Sequence, residues 1–183
     1  IDRLYKVIDE LANHNPDFIS VTYGAAGNKN YNYTIEIASY IKEKFGIESM
    51  PHLTCITSTK DKINDTIKEA IDKNLKNILA LRGDLPDDPD FDFPNPLQFE
   101  YASDLVKHIK KDNDICIAGA CYPEGHIDAS SFNEDVKYLK YKVEMGVDFL
   151  ITQLFFDNNY FYNMLEQFDK LNIKVPIMAG IMP

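Results

Sequence analysis

The chain has 183 residues, 45% of them hydrophobic, and a formal net charge of −10. That length can bury the core of one domain, taken here as residues 1–183, while the acidic balance and the lack of any Lys/Arg run argue against nucleic acid or an anionic membrane surface as partner. No apolar stretch is long enough to span a bilayer, and the opening Ile1-Asp2-Arg3-Leu4-Tyr5-Lys6 is not a signal peptide.

In chain order, an amphipathic helix is expected over residues 3–12, followed by an apolar strand over 18–23. Residues 32–44 repeat the helical spacing through Ile35, Ile37, Ala38 and Ile41, and Gly46 closes that helix. A strand over 50–55 leads into Ser58-Thr59-Lys60-Asp61, a helix-opening signal for residues 60–73, where Ile63, Ile67, Ala70 and Ile71 carry the helical pattern. The strand over 78–81 is followed by the acidic, turn-rich Asp87-Asp88-Pro89-Asp90-Phe91-Asp92, a solvated loop. Then come a helix over 101–111, a strand over 115–121, a helix over 133–145 closed by Gly146, a strand over 149–154, a helix over 160–170 and a strand over 177–182. Cys55, Cys116 and Cys121 are odd in number and lack metal-ligand spacing, which fits reduced thiols in a cytoplasmic protein.

Strict alternation of strand and helix predicts the α/β class with a parallel sheet. No Gly-x-Gly-x-x-Gly follows any strand, so the dinucleotide signature of an open doubly wound fold is missing. Polar residues instead cluster after nearly every strand, as they do around the mouth of a (βα)8 TIM barrel. Six strands are expected where a complete barrel has eight, so the barrel is incomplete, and the sequence reads as an excised piece of a longer protein.

The strand ends supply the candidate site. Ala80-Leu81-Arg82-Gly83-Asp84-Leu85-Pro86 passes from a buried strand directly into opposite charges; the choice is between a local Arg82–Asp84 ion pair and a ligand site. His52 has apolar neighbours and is either a hydrogen-bonded core histidine or a ligand contact. Tyr122-Pro123-Glu124-Gly125-His126 is a loop after Ile117-Ala118-Gly119-Ala120-Cys121, whose small residues would admit a ligand or a neighbouring backbone. Gln153 is an amide in an apolar strand, bonded either to the core or to a heterocycle edge. Lys137, Lys140 and Lys142 are a solvated face, or serve a phosphate near the start of their helix.

Together Ser20-Val21-Thr22-Tyr23-Gly24, Pro51-His52-Leu53-Thr54-Cys55, Ala80–Pro86, Tyr101-Ala102-Ser103-Asp104, Tyr122-Pro123-Glu124 with His126, and Ile151-Thr152-Gln153 with Phe155-Phe156-Asp157 resemble the methylenetetrahydrofolate reductase family, in its FAD-dependent bacterial type. The resemblance spans the whole chain and corresponds to barrel strands two to seven. It implies a cytoplasmic flavoprotein oxidoreductase of folate one-carbon metabolism and methionine biosynthesis. Such an enzyme takes electrons from NADH or NADPH through FAD and reduces 5,10-methylenetetrahydrofolate to 5-methyltetrahydrofolate. It further implies FAD contacts at Thr22, Tyr23, Ala25 and His52, at Arg82, Gly83 and Asp84, at Tyr101 and Ala102, and at Tyr122, His126, Ala129, Asp135 and Lys142. Asp84 and Gln153 match the positions nearest the chemistry and the folate; Thr22 and Gln153 match nicotinamide contacts. No metal is implied.

Two departures stand out. The bacterial pattern has Asn and Arg where this chain has Tyr138 and Tyr141, and the family's general-acid glutamate lies on a strand before Ile1, so turnover by this stretch alone is in doubt. An accessory subunit that keeps the flavin barrel but works with a partner, or another flavin- or pterin-binding barrel enzyme, are the alternatives, and the resemblance is compatible with a homo-oligomer or a complex.

Overall fold

A computed structural model of the chain describes residues 2–22, 32–86, 88 and 90–182. The described strands lie in the sheet order β1-β2-β3-β4-β5-β6, numbered along the chain. A sheet ordered as its sequence is the barrel topology: right-handed crossovers step always in one direction, whereas a doubly wound sheet reverses. The described residues thus form six strands of an incomplete α/β barrel. Its contacts divide it into two units, Ile1–Ile78 with Gly83–Phe99 and Leu79–Arg82 with Glu100–Pro183.

The first unit holds α1 (Asp2–Ala12), β1 (Phe18–Val21), α2 (Asn32–Phe45), β2 (Glu48–Thr54), α3 (Lys60–Asp72) and the start of β3 (Asn77–Leu81). β1 and β2 pair in parallel, Phe18 opposite Glu48 through Val21 opposite Pro51. One face of each helix turns inward: Ile8, Val21, Ile35, Ala38, Ile41, Ala70 and Leu75 form the core. α3 begins where the sequence signals it, with Thr59 accepting a hydrogen bond from the Lys62 amide at 3.2 Å. Ser49 is buried in β2 and is satisfied by the Ala38 carbonyl at 2.7 Å.

The second unit holds the rest of β3, α4 (Ala102–Asp112), β4 (Cys116–Cys121), α5 (Phe132–Glu144), β5 (Phe149–Thr152), α6 (Asn158–Lys170) and β6 (Ile177–Met178). β4 and β5 pair in parallel from Ala118 opposite Phe149 to Cys121 opposite Thr152, and β5 pairs with β6 in the same sense. Asp148 accepts from the Ile117 amide and from Lys110 Nζ, both at 2.7 Å, tying the start of β4, the last turn of α4 and the entry to β5. A Cβ on Gly119 would sit 3.2 Å from Val147 and 3.4 Å from Leu150. The small residues of β4 therefore make room for core side chains of their own unit.

Every expected helix and strand is present, with ends displaced by a few residues. The largest shortfall is the last strand, which ends at Met178 where the sequence suggested 182.

Candidate functional site

In the first unit the candidates follow β1, β2 and β3. Thr22 lies one residue beyond β1, exposed, and its carbonyl accepts from Thr34 Oγ1 at 3.4 Å. Tyr23 and Ala25 lie outside the described residues. His52, in β2, has its Nε2 3.1 Å from Ser20 Oγ on β1, across the parallel pair. Burial pushes the imidazole pKa down from 6.5, so the ring is neutral at pH 7. Gly83 has φ +86, and a Cβ there would come within 2.8 Å of Thr54 Cβ. The turn after β3 is thus held tightly against the end of β2 and delivers Asp84 to solvent. Asp84 is exposed and makes no ion pair or hydrogen bond among the described residues.

In the second unit Arg82 is oriented by its Nε, which donates to the Glu100 carbonyl at 3.3 Å. Its Nη1 lies 3.7 Å from Asp128 Oδ2. Among the described residues Arg82 therefore pairs with Asp128, from the loop after β4, and no Arg82–Asp84 ion pair occurs. Tyr101 precedes α4, and Asp104 caps that helix by accepting from the Glu100 and Tyr101 amides, both at 3.0 Å. Ala102 opens α4.

The loop after β4 is strongly organised. The Tyr122 and His126 rings meet edge to face at 4.7 Å, Gly125 takes φ +88, and the Ala129 amide donates to the His126 carbonyl at 3.0 Å. His126 Nδ1 accepts from the Asp128 amide at 3.1 Å, and the His126 amide donates to Asp135 Oδ2, also at 3.1 Å. Burial raises the Asp135 pKa above the usual carboxylate value. Lys142 reaches in from α5 and donates to the Ala120 carbonyl at 2.6 Å. Burial depresses the Lys142 pKa, opposed by Cys121 and Asp135 nearby. Burial pushes the Cys121 thiol up to about 12, so it is no nucleophile.

The other α5 lysines differ from Lys142: Lys140 pairs with Glu144 at 3.7 Å on the surface and Lys137 is exposed. The first turn of α5 is filled by its own side chains, since Ser131 accepts from the Glu134 amide at 3.3 Å and Glu134 caps Ser130. Gln153 follows β5 and donates its backbone amide to the Cys121 carbonyl at 2.7 Å. Its side chain is exposed and makes no hydrogen bond among the described residues. The reading of Gln153 as an amide inside an apolar strand is corrected, because β5 ends at Thr152.

Asp128 was not among the expected site residues. Its only sequence signal is its place two residues after His126 in a loop already singled out. Ser20, which meets His52, sits in a quoted motif without a role of its own. No group of acidic, His and Cys residues that could hold a metal occurs among the described residues, and no helix there is long and apolar enough to cross a membrane.

The sequence model of the methylenetetrahydrofolate reductase family matches residues 1–183. The chain belongs to the methylenetetrahydrofolate reductase family. The 5,10-methylenetetrahydrofolate reductase of Escherichia coli K12 is 39% identical over 180 residues, covering 98% of this chain and 58% of the relative. That of Pectobacterium carotovorum is 36% identical over 185 residues, covering 100% and 59%. The rice protein named probable methylenetetrahydrofolate reductase (NADH) is 37% identical over 196 residues, covering 100% of this chain and 32% of its own length. The chain thus spans under two thirds of these relatives. A crystal structure of a putative lyase/mutase from Burkholderia cenocepacia J2315 superposes with a TM-score of 0.59 at 11% identity, covering 97% of this chain and 65% of that one. That likeness concerns the fold alone and agrees with the barrel topology of this family.

Proposed function

We propose that the protein carrying this chain reduces 5,10-methylenetetrahydrofolate to 5-methyltetrahydrofolate with electrons from NADH or NADPH, using FAD. The observation that carries the reading is similarity along this whole chain, at 36–39% identity, to 58–59% of the length of bacterial proteins named for that reductase. The rice relative's name specifies NADH, which makes NADH the donor to test first.

The residues present fit FAD on their chemistry. Arg82 is anchored through Nε by a backbone carbonyl, and its Nη1 makes only a loose ion pair, at 3.7 Å from Asp128 Oδ2, so an exchangeable guanidinium edge suits a phosphate. Asp84 and Gln153 are exposed polar side chains with no hydrogen bond among the described residues, placed immediately after β3 and β5. FAD, when bound, supplies the hydride uptake and release that no side chain of this chain can provide.

The protein's own work is binding and electrostatics. Arg82 holds the anionic end of the cofactor. His52, neutral and paired with Ser20, adds a polar edge without adding charge. Gln153 can both donate and accept, so one amide serves a nicotinamide carboxamide or a pterin edge in turn. Asp84 accepts from ring N–H groups, opposes further negative charge near the redox centre and supports a cationic folate.

The test is Asp84→Asn in the intact protein. Removing one negative charge raises the flavin reduction potential and slows the folate half-reaction more than the nicotinamide half-reaction. An unchanged potential together with two unchanged half-reactions removes Asp84 from the mechanism.

A further inference from the structure

Arg82 and the loop after β4 carry an inference that rests on the proposed cofactor reading and goes beyond it. Arg82 is set up to bind an anion: its Nε is committed to the Glu100 carbonyl, and its side chain keeps 35% of its surface exposed. The anion it meets is a carboxylate of its own unit. Asp128 Oδ2 stands 3.7 Å from Nη1, too far for a hydrogen bond but close enough for ionic attraction. Asp128 is held there by its backbone, whose amide donates to His126 Nδ1 at 3.1 Å, while its side chain stays 68% exposed and makes no hydrogen bond among the described residues. The same Oδ2 lies 4.0 Å from His126 Nδ1, which already accepts from the Asp128 amide and has no proton to offer, so the loose contact with Arg82 is the one ionic contact of this carboxylate among the described residues.

We propose that Asp128 is an internal counter-anion for Arg82, which the phosphate-bearing end of the cofactor must displace on binding, so that Asp128 limits cofactor affinity. A carboxylate that served only to fix the loop would be hydrogen-bonded through its oxygens. A permanent structural pair would show the close, bidentate geometry that arginine and carboxylate favour. The loose pair instead fits an exchangeable contact. It keeps the guanidinium from facing solvent or a wrong anion unpaired, and it opposes the bound diphosphate by like charge.

The test uses the intact protein stripped of flavin and titrated with FAD, ADP and riboflavin, followed by fluorescence or calorimetry. Asp128→Asn keeps the backbone bond to His126 and removes the charge. It is expected to tighten FAD and ADP about two- to fivefold, the size of one exposed ion pair, and to leave riboflavin, which has no phosphate, unchanged. Glu124→Gln removes an exposed acid from the same loop with no ion pair to Arg82, and is expected to change affinity less. Unchanged or weaker FAD binding by Asp128→Asn, or an equal gain for riboflavin, overturns the proposal. Wild-type protein that binds no FAD at all defeats the cofactor reading itself, a separate and recognisable outcome.

Discussion

Gly83→Ala is the sharpest probe of how the strand ends are built. Gly83 carries φ +86, a region that costs an L-residue about 1 kcal/mol or more. Its added Cβ would also meet Thr54 Cβ at 2.8 Å and Thr54 Cγ2 at 3.2 Å. The first of these is an atom fixed to the β2 backbone, so relief requires the turn after β3 or the end of β2 to move. Overpacking of that kind costs about 1–3 kcal/mol, giving a total of about 2–4 kcal/mol. Urea unfolding of wild type and variant measures it directly. Thr54→Gly removes both clashing atoms, and a double-mutant cycle should show a favourable coupling of about 1 kcal/mol or more between the two changes. The remainder is the φ strain, which Thr54→Gly leaves in place. Because Asp84 follows the turn, the variant should also lose folate half-reaction rate beyond what its stability explains. A Gly83→Ala protein within about 0.5 kcal/mol of wild type, a size typical of neutral surface changes, refutes the tight apposition of this turn and β2.

Two further outcomes follow from the ionisable groups. The folded-state pKa of His52 is depressed, so the unfolded chain takes up the proton first as pH falls below 6.5. Stability is therefore full above that pH and declines on acidification at up to about 1.4 kcal/mol per pH unit from this residue; His52→Gln should remove that share of the slope in pH-dependent melts, and an unchanged slope contradicts the assignment. Lys142→Met replaces a costly buried ammonium by an apolar chain of similar length. Thermal stability should stay the same or rise while FAD affinity falls about tenfold, the loss of one charge-assisted contact; unaltered flavin binding would show that Lys142 serves only the Ala120 carbonyl.

The architecture was legible because each element carries a local signal. Ile63, Ile67 and Ala70 recur at helical spacing after the Thr59 cap, and the apolar runs at β2 to β4 are those of strands buried on both faces. The candidate site was legible in position but less so in partnership. Arg82 and Asp84 are two residues apart, which suggests a pair, yet among the described residues Asp128 supplies the counter-charge. Gly119 reads as room for a ligand or a neighbouring backbone, and only the folded chain shows the Val147 and Leu150 side chains filling that space. Three lysines on α5 look equivalent in sequence, but a helix turns each residue to a different face, and Lys142 alone reaches the Ala120 carbonyl. Such pairings depend on tertiary distance, which neither composition nor periodicity encodes.

As proposed above, this chain is part of a flavin-dependent folate reductase. The most direct test is a pair of anaerobic half-reactions on the intact protein. The account predicts that bound FAD is bleached by NADH or NADPH, and that 5,10-methylenetetrahydrofolate then restores the oxidised spectrum with one 5-methyltetrahydrofolate formed per flavin. Flavin that is bleached but not reoxidised by the folate, or an intact protein that holds no flavin, contradicts it.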